Sequence, residues 1–142
     1  MKSLIGYLTL FLTLGVATLF SEIEKDETQL DSGIGYYKVV RVDNTLYISG
    51  CTGWGETMEE QFDVAYGKIE ERLALYGVGF ESVVKENLFT TDLKAAQAAI
   101  PHRKEILDGD YFAATWVEVK ALWLPEIMVE IEVIAILPDE ES

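Results

Sequence analysis

The stretch TWVEVKALWLPEIMVEIEVIAIL, residues 115–137, contains the pattern that decides the fold. Over residues 129–133, apolar and acidic side chains alternate with period two, which is typical of a β-strand with one apolar and one polar face. A second strand-like run, residues 115–119, precedes it. We expect a short turn around Leu124-Pro125 to join these two strands.

A helix with a well-marked start lies nearer the middle of the chain. Thr57, followed three residues later by Glu60, forms a capping-box pattern. Apolar residues then recur at helical spacing and predict one buried stripe: Met58, Phe62, Ala65, Ile69, Leu73 and Tyr76. Gly77 is a natural end for this helix because glycine readily adopts the left-handed conformation that follows a helix.

The other elements lie on either side of this helix. Residues 36–42 and 45–49 predict a β-hairpin before it, and residues 83–91 predict a strand after it. A second helix begins near Asp92, and Pro101 predicts a kink or restart there because proline has no N–H to donate. The order is therefore β-β-α-β-α-β-β, an α+β fold with two helices on one face of a sheet.

The second face of such a sheet predicts an oligomer. It would carry apolar residues, either Val129, Ile131 and Val133 or the matching positions of the other strands. A large apolar face left in water usually marks an interface between subunits.

Composition excludes several classes of function. The formal net charge of −14 disfavours nucleic acid and anionic membrane surfaces, because phosphates repel an acidic protein. Cys51 is the only cysteine and His102 the only histidine, so a disulfide within the chain or a Cys- or His-rich metal site is excluded. We expect no metal and no cofactor.

The N-terminus predicts export. Residues 1–21 contain one lysine followed by an apolar run, which is the pattern of a signal peptide or, if uncleaved, of a membrane anchor. Residues 22–32 are acidic and predict a flexible linker before a domain over 33–138 and an acidic tail over 139–142. The protein is therefore expected outside the cytoplasm, and on a membrane only if residues 1–21 are retained.

Several blocks resemble the RidA (YjgF-type) family in order and spacing between Gly35 and Leu137. They are Gly35-Tyr36, Tyr47-Ile48-Ser49-Gly50, Gln61, residues 77–92, and the strands at 116–119 and 129–135. The family consists of small trimeric proteins best known for hydrolysing reactive imines, with ligand clefts between subunits. The resemblance implies a homotrimer with cleft roles for Tyr36, Ser49, Gly50, Trp116 and Glu130. Glu130 would be the catalytic residue that holds a water near the imine carbon.

Three positions depart from the family pattern. Ala114 stands where the family has an arginine that grips the substrate carboxylate, three residues before Val117. Phe112 replaces a proline, and the loop from Cys51 to Thr57 is short. Losing a charge-assisted pair costs roughly 1.5–3 kcal/mol, so hydrolysis is expected to be weak or lost.

Three functional hypotheses follow, and they differ in how much of the family's catalytic activity the protein retains. The first is a homotrimer that binds a small molecule, such as a carboxylate, with little hydrolysis. The second is an active 2-imino acid deaminase in which Arg41, Arg72 or Arg103 supplies the missing charge. The third is a non-catalytic protein-interaction module. Packing alone is the alternative interpretation for Trp116 and Trp123.

Export gives the first test. Residues 1–21 fused to a reporter that is active only outside the cytoplasm should give signal, and a fusion beginning at residue 22 should give none. The mass of the mature N-terminus then separates cleavage from anchoring. A reporter that remains inactive with residues 1–21 attached would refute the export prediction.

Overall fold

The computed structural model describes residues 21–139. The predicted signal segment, apart from residue 21, and the acidic tail beyond residue 139 lie outside the described residues. Within the described part of the chain, no helix is long and apolar enough to span a bilayer.

The described residues form a β-rich domain with three α-helices. Two single 3₁₀ turns, Glu27–Gln29 and Phe80–Ser82, join some of the elements. In chain order, the strands and helices are β1 Ile23–Glu24, β2 Leu30–Asp31, β3 Tyr36–Tyr37, β4 Val39–Val42, β5 Thr45–Thr52, α1 Met58–Ala74, β6 Val83–Thr90, α2 Leu93–Ala98, α3 Ile100–Leu107, β7 Ala113–Glu118 and β8 Val129–Ile136.

Six strands form the main sheet in the order β1-β4-β5-β8-β6-β7. All neighbours are antiparallel except β6 and β7, which are parallel. The expected turn joining β7 directly to β8 is therefore wrong, because β6 lies between them. Residues 119–128 instead form a longer connection that passes the end of β6 and joins two antiparallel strands at the same end of the sheet.

The segment 22–32 is not the flexible linker that its acidity indicated. Ile23 and Glu24 pair with β4 and extend the main sheet, while β2 pairs with β3. The Asp43 carboxylate also accepts a hydrogen bond from the Glu22 amide at 2.8 Å. Backbone pairing to a sheet edge does not need apolar side chains, so composition alone missed it.

The helices follow the sequence prediction closely. Thr57 and Glu60 form the reciprocal capping box at the start of α1, and the stripe from Met58 to Leu73 is buried. The second helix is interrupted as expected: α2 ends at Ala98, and α3 restarts with Pro101 in its first turn. Proline is accommodated there because the first N–H groups of a helix have no intrahelical acceptor.

All three helices cover one face of the sheet. Val129, Ile131 and Val133 are buried on that face, so they do not form the uncovered apolar surface. The opposite face carries the alternate positions, where Val40, Tyr47 and Ile134 lie side by side on three strands. Tyr47 is 47% exposed and no described element covers it. Polar side chains interrupt this face, including the hydrogen-bonded pair Asn87 and Glu132.

A buried ionic network joins the helices to the outer strands. The carboxylate of Glu86 on β6 is fully buried and accepts hydrogen bonds from Arg103, Tyr66 and Trp116 at 2.7–3.1 Å. Arg103 also donates to the Tyr66 hydroxyl at 2.6 Å. Its guanidinium lies 5.4 Å from the Trp116 ring centroid and 5.5 Å from that of Phe112. The network therefore links α1, α3, β6 and β7.

Removing Arg103 tests this network. Arg103→Leu leaves an ionised carboxylate buried without its partner, and we expect a loss of about 3–5 kcal/mol in the free energy of unfolding, measured with urea. Lys104→Leu, on the exposed side of the same helix, should change it by less than about 0.5 kcal/mol.

A double variant separates charge from packing. Glu86→Gln combined with Arg103→Met removes both charges, and the glutamine oxygen can still accept from Trp116 while its amide nitrogen donates to the Tyr66 hydroxyl, so it should lose less stability than Arg103→Leu alone. A loss below about 1 kcal/mol for Arg103→Leu would mean that the carboxylate is not dependent on this partner.

Candidate functional site

A cleft of about 1070 Å³ lies beside the first half of the sheet and α1. It is lined by four of the five residues predicted to bind ligand: Tyr36, Ser49, Gly50 and Glu130. Its other walls include α1 and the connection between β7 and β8, which contributes Leu122, Trp123, Leu124 and Ile127. The volume is that of a site for a small organic molecule.

Gly50 and Glu130 approach each other where the β5–β8 register shifts between Ile48 and Cys51. A Cβ atom at position 50 would overlap with the Glu130 carboxylate and lie 2.9 Å from its Cγ. Glycine is therefore required here to give the carboxylate its space in the cleft. Ser49, the preceding residue, donates its hydroxyl proton to the Tyr37 carbonyl at 2.7 Å, so a ligand would find this oxygen as an acceptor.

Three cations line the same cleft, and sequence patterns alone did not place them there. They are Lys38, Lys68 and Arg72. Lys68 Nζ donates to the Thr52 carbonyl at 2.8 Å, and Arg72 Nη1 donates to the Ser49 carbonyl at 2.7 Å. Backbone oxygens of β5 thus hold two α1 cations next to Gly50. Lys68 and Arg72 are four residues apart on α1, and this spacing could have indicated from the sequence that both side chains lie on the same face of the helix.

The other candidate arginines lie elsewhere. Arg41 is 3.7 Å from the Glu24 carboxylate at the sheet edge, and Arg103 belongs to the Glu86 network. Of the three arginines considered from the sequence, Arg72 alone lines the cleft.

Glu130 supplies the cleft carboxyl group that adjoins Gly50. Its pKa is raised, first because partial burial disfavours the charged form and second because the Glu132 carboxylate is near. It makes no hydrogen bond to any side chain or backbone group among residues 21–139, so it is available to a ligand or a water. A carboxylate in such a position is suited to act as a proton acceptor.

Comparison with known proteins identifies the family. The family model described as endoribonuclease L-PSP matches residues 27–137. The chain belongs to this family, the RidA (YjgF-type) family. The RutC family protein UK114 of Drosophila melanogaster is 30% identical over 115 residues, covering 75% of this chain and 83% of the fly protein.

Solved structures share the fold. A YjgF/YER057c/UK114 family member from Mycobacterium tuberculosis superposes with a TM-score of 0.72 at 25% identity, covering 83% of this chain and all of that one. Yeast Mmf1 gives a TM-score of 0.72 at 21% identity, covering 82% of this chain and all of the yeast protein. The α+β sheet with helices on one face is therefore that of the RidA family.

Trp116, the fifth predicted ligand-binding residue, does not line the cleft of its own chain. Its indole Nε1 donates to Glu86 at 2.9 Å, and its ring packs edge-on against Phe62 at 6.3 Å. Within one subunit, Trp116 is therefore a packing residue, which was the alternative interpretation of the sequence. Ala114 lies two residues earlier on the same outer strand, paired with Glu86, and likewise does not line this cleft.

Cys51 lies in the core beneath the cleft and is poorly suited to act as a nucleophile. The side chain is buried in the core, and burial raises the pKa of its thiol to about 11 despite the nearby Arg72 and Lys68. A neutral thiol is a weak nucleophile, so Cys51 acts as a small core residue.

Gln61 fixes the short loop that borders the cleft. Its side-chain amide donates to the Gly55 carbonyl at 3.0 Å and to the Glu126 carbonyl at 2.8 Å, and its Oε1 accepts from the Met128 amide at 2.7 Å. One buried side chain therefore holds two cleft-forming segments together. This is a structural reason for glutamine at this position of α1.

Glu130 gives a pH-dependent test. Because its pKa is raised in the folded chain, ionising Glu130 opposes folding; this penalty is absent at low pH and appears as the pH rises through the folded pKa. We expect Glu130→Gln to raise Tm at pH 8 and to leave it nearly unchanged at pH 4. Glu126→Gln, which removes an exposed carboxylate outside the cleft, should show no such difference. A Tm gain for Glu130→Gln that is equal at both pH values would contradict the assignment.

Proposed function

We propose that this RidA-family protein is a homotrimer that binds a small carboxylate in its cleft, with weak imine hydrolysis. One observation carries the proposal: Arg72 and Lys68 line the same cleft as Glu130. The cleft thus offers cations for an anionic group and a carboxylate for the polar end of the same molecule. A guanidinium is well suited to a carboxylate because it donates several hydrogen bonds in one plane.

The chemistry that this arrangement supports is addition of water to an imine carbon. Glu130 would orient the water and accept its proton, and the imine nitrogen would leave as ammonia. The raised pKa makes Glu130 a stronger base than an ordinary surface carboxylate. Arg72 and Lys68 would hold the substrate carboxylate away from Glu130.

Hydrolysis is expected to be weak for two reasons. Position 114 holds alanine in place of the arginine that the family resemblance implies. Arg72 lies on α1 and already donates one N–H to the Ser49 carbonyl, so fewer of its donors remain for a substrate. Loss of one preorganised charged group typically lowers a rate by about a hundred- to a thousandfold.

The uncovered sheet face supports the trimer. Tyr47 and Ile136 are exposed there beside Val40 and Ile134, and a second copy of the chain would remove them from water. Packing subunits through this face would place the clefts near subunit boundaries. Export, proposed from residues 1–21, would separate the protein from the cytosolic pyridoxal-phosphate enzymes that release enamines.

The same observation favours a second candidate, an active 2-imino acid deaminase that uses Arg72 as its cation. RNA is disfavoured as a substrate because the chain carries a net charge of −14. If no small carboxylate binds, the third hypothesis, a non-catalytic protein-interaction module, is favoured.

Arg72 is the residue to change. We expect the full-length protein to bind 2-ketobutyrate, and Arg72→Gln to weaken that binding at least about tenfold, because a charge-assisted pair is lost. Lys104→Gln removes an exposed cation outside the cleft and should leave the affinity unchanged. Calorimetric titration measures all three proteins, and no detectable binding by the unaltered protein would overturn the proposal.

Turnover separates the two candidates. In a coupled assay that generates iminopropionate, the unaltered protein should accelerate hydrolysis only slightly. Turnover at the level of an arginine-containing family member, abolished by Arg72→Gln, would replace the binding proposal with the deaminase.

A further inference from the structure

The mouth of the cleft is strongly apolar. Twelve large hydrophobic side chains are exposed among the described residues, and five of them line this cleft: Ile34, Trp54, Leu75, Trp123 and Leu124. Trp54 is 56% exposed and Trp123 is 72% exposed. These five residues, here called the apolar rim, come from separate segments of the chain, so their convergence is a property of the fold.

The cations beneath the rim have no carboxylate partner. No carboxylate among residues 21–139 lies within 4.0 Å of Lys38, Lys68 or Arg72, whose side chains all line the cleft. The lining carboxylates are Glu71 and Glu130, so three positive charges face two negative ones in a chain whose net charge is −14. The cleft is therefore a locally cationic site in an acidic protein, which favours an anionic ligand.

A very small ligand would not use both parts of the cleft. In the single chain the cleft volume of about 1070 Å³ lies just above the usual range for ligand pockets, so a short 2-oxo acid would contact the cations while leaving the tryptophans in water. Aromatic side chains bind apolar groups well because they bury a large area with few rotatable bonds.

We propose that the ligand is a carboxylate that carries a bulky apolar group, such as an aryl ring. The carboxylate lies on Arg72 and Lys68, and the apolar group packs against Trp54 and Trp123 of the apolar rim. This inference rests on the proposed carboxylate binding and adds the ligand class that the cleft selects.

Three probes that differ by one group test the two halves of the ligand. Phenylpyruvate has both the carboxylate and the ring, pyruvate lacks the ring, and 1-phenylpropan-2-one lacks the carboxylate. Calorimetric titration of the full chain should give an affinity for phenylpyruvate at least about tenfold higher than for either of the others, because burial of a phenyl ring and pairing of a carboxylate each contribute that much.

Two variants test which residues bind the carboxylate and which bind the apolar group of the ligand. Trp123→Ala should remove most of the preference for phenylpyruvate while leaving pyruvate binding unchanged, whereas Arg72→Gln should weaken both acids by a similar factor. Tyr111→Ala, an exposed aromatic outside the cleft, and Lys104→Gln are the matched controls and should change neither affinity. Sedimentation of each protein shows whether its assembly is intact.

The outcomes distinguish the two proposals. Equal affinities for phenylpyruvate and pyruvate, or a preference that survives Trp123→Ala, would overturn the ligand class while leaving carboxylate binding in place. Absence of binding by both acids would overturn both. If Trp123→Ala changes the sedimenting mass, the apolar rim is an interface between copies of the chain, and the ligand proposal is wrong.

Discussion

The buried carboxylate of Glu86 is the constraint on which the arrangement of the outer strands and helices depends. A charge without access to water is tolerated only when its oxygens are fully paired. Arg103, Tyr66 and Trp116 provide that pairing from three different elements. Each element is thereby held in position relative to β6, and the aromatic rings that surround the guanidinium exclude water from the network.

Glycine at position 50 and cations on α1 define what the cleft can do. The missing side chain at Gly50 gives room for the Glu130 carboxylate, and the backbone oxygens on either side anchor Arg72 and Lys68. The acid and the cations therefore line one cleft without forming an ion pair within 4.0 Å. A ligand that completes both sets of contacts gains from groups that are already in place.

The sequence predicted the helices, β8 and the family correctly because these depend on local signals. Period two over residues 129–133 and the capping box at Thr57 are both readable within a few residues. The position of β7 was wrong, because nothing local shows that β6 lies between β7 and β8. Tyr36, Ser49, Gly50 and Glu130 were brought together as the resemblance implied. Arg72 was among the possible substitutes, but its place in the cleft depends on a contact with Ser49, which is 23 residues away in the chain.

The connection between β7 and β8 has two parts with different roles, because it must pass the end of β6. At its C-terminal end, hydrogen bonds from the Gln61 side chain hold the backbone of Glu126 and Met128. Trp123 and Leu124, which precede these residues, line the cleft. Residues 121–124 belong to no strand and are not part of the buried core, so substitutions there are expected to alter the cleft more than the sheet. Related chains with the same fold could exchange this short segment and acquire different ligand preferences, so that selectivity evolves in one loop while the acid, the cations and the glycine stay fixed.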